Sequence, residues 1–484
     1  MGQQIERTSF TDREKETFQA RLFAQLEQLK TTLAKSGFGD EQLKMGAELE
    51  MYLIDSHGNA SPSNEAVISS INDQQFQHEL NQYNLELNLS AVKQTGSPFS
   101  QLKQEINHKL AVLNKVTEQH QCSALPIGIL PTIKHEQLNS SCMTGIARYA
   151  CLADKISKQR GEHFRVSING DESLDIDFRD ICAEGANTSF QVHLMCPPEN
   201  MVKLFNAAQL TLPFVTAIAA NSPIFLGKNL WHETRIALFK QSLDVRRRNQ
   251  YPWHQPTRVN FGHGWVRNSI WELFAQSVSL YPPLMPYLSP DNTKDSYHEL
   301  CFHMGTIWPW NRPVFSTEGN GHIRLEFRAI PAGPTPVDMI ANAAFAIGLA
   351  NGFIDKIDEY CAYIPFQFAD YNFYRAAQYG LDAKILWPHQ NQYQPQEIDI
   401  KQVMIKLLPI AHQGLTNLNI SAKEADYYLN IIEQRLINNV TGAIWQKQRF
   451  NQLTSSLSID KALEQLVKDY QTQYQSHAPV STWE

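Results

Sequence analysis

Apolar and polar residues alternate with a period of two in four separated stretches of the chain. At residues 46–53, Ala47, Leu49, Met51 and Leu53 fall on one side, and Glu48, Glu50 and Tyr52 on the other. At 85–89, Leu85, Leu87 and Leu89 oppose Glu86 and Asn88. At 189–194, Phe190, Val192 and Leu194 oppose Ser189, Gln191 and His193. The last stretch, 321–328, sets Ile323, Leu325 and Phe327 against His322, Arg324, Glu326 and Arg328. Successive side chains of a strand point to opposite faces, so each stretch predicts a β-strand with one apolar and one polar face. A single strand of this kind ordinarily means an antiparallel strand with a solvated face. Four of one character point to a shared polar surface, provided that they pair in one sheet.

Helical periods fill much of the rest. Thr11 and Glu14 form a capping box that opens a helix to about residue 35, stopped by Ser36-Gly37-Phe38-Gly39. Helices are predicted over 64–80 and 99–120, and a short apolar strand over 125–130. Residues 136–160 read as a surface helix with Arg148 and Tyr149 near its middle, and 164–181 as a polar hairpin or insertion. A buried helix ends at Ala220, before the stop Asn221-Ser222-Pro223. Residues 231–243 contain Arg235, 265–280 read as helix, 281–289 as irregular, and 337–354 as an Ala-rich buried helix. Beyond about 392 the chain is polar and helical to about 474. With no internal repeat, low-complexity segment or obvious linker, the expected organisation is one large domain over 1–390. A helical C-terminal region, 391–484, packs on it.

Composition narrows the function classes. The 484 residues are 43% hydrophobic, enough for a large core, and a net charge of −7 argues against a nucleic-acid surface. Seven scattered cysteines without a C-x-x-C pair argue against structural zinc or a disulfide framework, and fit reduced thiols in a cytosol. The N-terminus has no apolar run of the signal-peptide kind. No uninterrupted apolar stretch reaches membrane-spanning length. The most apolar region, 207–226, carries Gln209, Pro213 and Asn221 and reads as a core helix. P-loop, dinucleotide fingerprint, zinc-protease and nucleophile-elbow motifs are all missing.

The four polar faces together hold Glu48, Glu50, Glu86, Glu326, Asn88, Gln191, His193, Arg324 and Arg328, and no lysine. Gathered carboxylates repel one another unless cations sit between them. Mg²⁺ takes oxygen ligands from carboxylates and nucleotide phosphates. Guanidinium forks match phosphate oxygens. Carboxylates beside arginines are equipment for phosphoryl transfer from ATP. The bland alternatives are a solvated strand face for the glutamates, a hydrogen-bonded core site for His193, and an ion pair with Glu326 for Arg328. Arg246, Arg247 and Arg248 read as a solvated run, Trp308 and Trp310 as packing.

Gly46-x-Glu48-x-Glu50, Glu86-x-Asn88, Gln191-x-His193 and Arg324-x-Glu326-x-Arg328 resemble, in order and spacing, the glutamate–cysteine ligase family. That family belongs with the glutamine synthetases among ATP-dependent carboxylate–amine ligases. Residues 305–313 and 322–342 are similar to a bacterial glutamate–cysteine ligase-like branch. The likeness runs from about Gly46 to Pro388, taking in Arg375, Ala376 and Gly380. The resemblance implies an α+β fold: a curved, mostly antiparallel sheet with helices on its outer face, plus the helical C-terminal addition. It implies ATP and Mg²⁺, with Mn²⁺ able to take the same place. Glu48, Glu50, Glu86, Glu326 and His193 would hold metal. His193, Gln191 and Asn88 would meet the nucleotide, and Arg324, Arg328 and Arg235 the phosphate or substrate. The implied substrates are glutamate and an amine, most naturally cysteine. A different acid or amine, or a nucleotide-binding protein without turnover, remain the alternatives.

Overall fold

The computed structural model describes residues 5, 8–247, 256–289, 296–388 and 394–484. Its eight-stranded main sheet has a six-strand path of β1 (Lys44–Ile54), β2 (Phe76–His78), β3 (Asn84–Asn88), β4 (Phe190–Met195), β5 (Asn311–Ser316) and β6 (His322–Phe327), with the short strands Val92–Lys93 and Ser123–Leu125 also paired to β1. The helices that matter here are α1 (Asp12–Leu33), α2 (Pro98–Gln119), α3 (Met201–Ala219), α4 (Arg235–Ser242), α5 (Pro336–Gly352), α6 (Ile400–Asn417), α7 (Ala422–Asn438), α8 (Gly442–Thr454) and α9 (Ile459–Gln475). The strand order is β5-β6-β4-β1-β3-β2, and every neighbouring pair is antiparallel. All four alternating stretches therefore lie side by side, and the fold is α+β with a mostly antiparallel sheet, as expected.

The apolar faces supply the core. Leu49, Met51, Leu85, Leu87, Phe190, Val192, Leu194, Leu325 and Phe327 are all buried. Helices α2, α3 and α5 cover this side. The central one is α5, buried along almost its whole length, with α3, α6 and α7 around it. Small residues permit that closeness. A Cβ on Gly348 would lie 2.6 Å from the Ala411 carbonyl oxygen, and one on Gly414 would lie 1.9 Å from that of Gly348. Helix α3 is long and apolar enough to cross a membrane by composition, but 89% of its apolar window is buried inside the protein, which makes it a core helix.

The C-terminal helices lock into the same core. Arg435 on α7 donates to Asp338 at 2.6 Å and to Asn342 at 2.7 Å, with 1% of its surface exposed. Tyr470 on α9 receives a hydrogen bond from Asn221 at 2.8 Å and donates to the Pro126 carbonyl at 3.1 Å.

Several local expectations change. The helix expected over 64–80 ends at Ile71, because Asn72 takes a left-handed conformation (φ 45°) and Asp73 opens a turn. The chain is then free to form edge strand β2. The helix expected over 136–160 begins only at Ala147. Two single 3₁₀ turns precede it, and the Asn139 side chain caps Ser141. Arg148 and Tyr149 thus sit in its first turn. The strand expected over 125–130 pairs only through Ser123–Leu125. The helix expected from 265 starts at Trp271. A hairpin, Lys384–Pro388 with Pro395–Asp399, precedes α6. Arg248, in the arginine run, lies outside the described residues.

Candidate functional site

Antiparallel register decides which polar side chains meet, because directly opposed residues share a face. Gly46 and Glu48 of β1 oppose His193 and Gln191 of β4. His193 also opposes Glu326 of β6, which in turn opposes Arg312 of β5. On the other flank of β1, Glu48 opposes Asn88 and Glu50 opposes Glu86. Every residue proposed from the sequence as a metal or nucleotide contact therefore lies on this one face. Gly46 contributes no side chain there; a Cβ in its place would meet Ala91 at 3.8 Å.

The acids resolve into two groups. Glu48, His193 and Glu326 present ligand atoms within 4.8 Å of one another, as do Glu50, Glu79 and Glu86. In the first group His193 Nε2 lies 3.0 Å from Glu48 Oε1, and Arg324 Nε donates to His193 Nδ1 at 3.4 Å. Arg312 grips Glu326 with two nitrogens, at 2.5 and 3.1 Å, and Arg328 adds a bond at 2.9 Å. Burial alone would raise the Glu326 carboxyl, but Arg312 and Arg328 hold it well below the usual range. For Glu48 too, burial raises and His193 lowers, and the balance brings it down to about 2.

The second group has the opposite electrostatics. Burial, reinforced by Glu48, pushes Glu86 up to about 8. Burial and the charges of Glu50 and Glu86 raise Glu79 well above the ordinary value, and burial outweighs Arg328 and Arg235 to raise Glu50. Glu50 accepts from the Ser189 amide and from Gln191, each at 2.7 Å, while Gln191 in turn accepts from Arg328. Asn88 donates to Glu86 at 2.6 Å. Three acids crowded at low dielectric with few cationic neighbours fit hard divalent cations, which prefer carboxylate oxygens.

Three participants escaped the sequence reading. Glu79 follows the edge strand β2, inside the stretch taken as helix, so its face could not be assigned. Arg312 lies beside Pro313 in a stretch for which no strand was expected; β5 is an edge strand, where proline is tolerated. Glu184, on a 3₁₀ turn, is pushed up to about 8 by burial and by Glu50. Neither alternation nor a motif marks it.

Arg235 is placed differently from expectation. It is 2% exposed, and it donates to Glu233 at 3.1 Å and to the Ala329 and Arg328 carbonyls at 3.2 and 3.4 Å. Its guanidinium ties α4 to the end of β6 instead of projecting toward a substrate. It acts on the site through its charge, which Glu50 feels, and through Arg328, whose backbone carbonyl it holds.

Three comparisons bear on these observations. The sequence model of the family described as Glutamate-cysteine ligase family 2 (GCS2) matches residues 44–436, so the match extends past the expected boundary at 390 into α6 and α7. Curated protein sequences gave no match. In fold, the chain is similar to a glutamate–cysteine ligase from Francisella tularensis in complex with AMP. The TM-score is 0.52 at 11% identity, covering 91% of this chain and 90% of that one. A bifunctional glutathione synthetase from Pasteurella multocida gives a TM-score of 0.45 at 11% identity, covering 95% of this chain and 55% of that one.

Proposed function

The chain belongs to glutamate–cysteine ligase family 2, and from that premise we propose that it is an ATP- and Mg²⁺-dependent ligase joining the side-chain carboxylate of glutamate to an amine, with cysteine the leading amine. The observation that carries this reading is the meeting of two carboxylate groups and an arginine row on one sheet face. Glu48, His193 and Glu326 would hold one divalent cation, and Glu50, Glu79 and Glu86 another. Bound there, the cations would offset negative charge on the nucleotide phosphates.

The remaining steps fall to the chain's own residues. Arg324 and Arg328 would orient the γ-phosphate in line with the acid substrate. A carboxylate oxygen attacks the γ-phosphorus, and the bond to the bridging oxygen breaks and releases ADP. The amine nitrogen then attacks the acyl carbon, loses a proton and expels phosphate. Gln191, fixed between Glu50 and Arg328, and Asn88, fixed on Glu86, keep the two groups in register. No covalent protein intermediate is required; the face positions the reactants and neutralises charge. Seven unpaired cysteines and a need for ATP fit a cytoplasmic setting.

The test is ADP release with purified protein, ATP, Mg²⁺ and pairs drawn from a panel of amino acids. The expected result is release that needs both glutamate and an amine and is lost in Glu50→Ala. Release with another pair would shift the substrates and leave the reaction class. ATP-dependent thermal stabilisation with no release for any pair would make the protein a nucleotide-binding protein. Full turnover in Glu50→Ala would overturn the site assignment.

A further inference from the structure

Beside the second acid group lies a small, partly open recess of about 20 Å³, lined by Glu50, Glu79, Asn84, Glu184, Asn187 and Thr188. That volume suits a single water-sized group. Its polar atoms are unusually idle. Asn84 is 2% exposed, and neither its Oδ1 nor its Nδ2 has a hydrogen-bond partner among the described residues. Asn187 spends its amide nitrogen on the Glu184 carbonyl at 2.7 Å, and its Oδ1 is left without a partner. The Glu184 carboxylate makes no hydrogen bond or ion pair among the described residues either. Buried polar atoms without partners are rare, and they mark places where something else completes the bonding.

The unused acceptor groups are three, of two kinds: one carboxylate and two amide oxygens. A primary ammonium has three donors and one positive charge, and its head is about the size of a water molecule. A divalent cation is a poorer match, since Glu184 stands outside both groups of potential ligands and amides outnumber carboxylates among the idle atoms. An ammonium clamped in this way keeps its proton and cannot act as a nucleophile, so the group held here is not the reacting amine.

We propose that this recess receives the α-ammonium group of the acid substrate, with Glu184, Asn84 and Asn187 as its acceptors. The proposal rests on the ligase reading above and deepens it. It makes Glu184 a selector for amino acids over plain dicarboxylic acids. It also places the acid substrate against Glu50 and Glu79, whose side chains wall the same recess.

The experiment compares L-glutamate with glutarate, which lacks only the amino group. Binding is measured by calorimetry on the whole protein with Mg²⁺ and a non-hydrolysable ATP analogue, for wild type and Glu184→Gln. The expected result is a loss of about 10- to 100-fold for glutamate in the variant and less than about 2-fold for glutarate, as for a lost charge-assisted bond. Asn84→Asp, which adds an acceptor charge, is expected to retain preference for glutamate. An equal loss for both acids, no loss for either, or failure of wild type to bind glutamate would each overturn the proposal. So would loss of the Mg²⁺-induced thermal shift in Glu184→Gln, which would make the recess a metal site. Turnover is read separately: glutamate binding with the expected selectivity but no ADP release would remove the ligation reading and leave the recess in place.

Discussion

The same substitution, Glu to Gln, made on two strands of one face should have opposite effects on stability. Glu326 is 1% exposed and neutralises both Arg312 and Arg328. Glu326→Gln leaves two guanidiniums with only 15% and 13% of their side chains exposed, Arg312 stripped of its ion-pair partner and Arg328 left with only the charges of Glu50 and Glu48. Breaking a buried pair from one side costs about 3–5 kcal/mol. An unfolding entropy of about 2.1 cal/mol/K per residue gives about 1 kcal/mol/K for a chain of this length, so the melting temperature should fall by about 3–5 °C. Glu86 differs because burial and Glu48 push its carboxyl from 4.5 to about 8. A carboxyl raised in the folded state contributes fully below 4.5 and loses that contribution as pH rises through 8. At pH 7.5 the wild-type penalty approaches about 4 kcal/mol at one pKa unit per 1.36 kcal/mol. Glu86→Gln removes it while keeping an oxygen for Asn88 to donate to. The metal-free variant should therefore melt no lower than wild type at pH 7.5, by up to about 4 °C higher, and alike at pH 4.5. The assay is thermal unfolding in EDTA at both pH values, with Mg²⁺-dependent ADP release measured alongside and lost in both variants. Shifts of the same sign in the two variants at pH 7.5, or an unshifted Glu326→Gln, would refute the electrostatic division of the face.

Mg²⁺ at about 100 times the dissociation constant of the Glu50, Glu79 and Glu86 group should stabilise wild type by about 2.7 kcal/mol through that group, near 3 °C, and a titration of Glu79→Gln followed by differential scanning fluorimetry should show that part of the shift gone and the part from the Glu48, His193 and Glu326 group kept. Arg235→Met should cost about 3–5 kcal/mol in unfolding free energy by stranding Glu233; a variant of unchanged stability with a raised KM for the acid would instead make Arg235 a substrate contact. Burial lowers His303 from 6.5 to about 4, so it is neutral in the fold. The unfolded chain gains the proton first, and stability present above pH 6.5 should fall by about 1.4 kcal/mol per unit down to pH 4. Denaturant titrations should show a flatter acid limb in His303→Gln, and an unchanged limb would assign the acid loss to other groups.

Much of this site could be seen in the amino-acid order, because alternation is a local property. A period of two told which of Glu48, Leu49, Glu50 and Met51 share a side without any knowledge of their neighbours. The same holds for Gln191 with His193, and for Arg324 with Glu326 and Arg328. Family likeness added the kind of sheet these strands would build. What local order could not supply was register, since the pairing of residues 46–53 with 85–89, 189–194 and 321–328 depends on ladder hydrogen bonds across long stretches of chain. Register placed His193 opposite Glu326 and Glu50 opposite Glu86, and so split one row of acids into two groups of opposite electrostatic character. Glu79, Arg312 and Glu184 came from a turn, a proline-bearing edge strand and a single 3₁₀ turn, where no periodic pattern reports a direction. Arg235 shows the converse. Its position suggested a substrate contact, but packing turned its guanidinium onto Glu233 and two backbone carbonyls, because a buried charge takes the nearest partners that offset its loss of water.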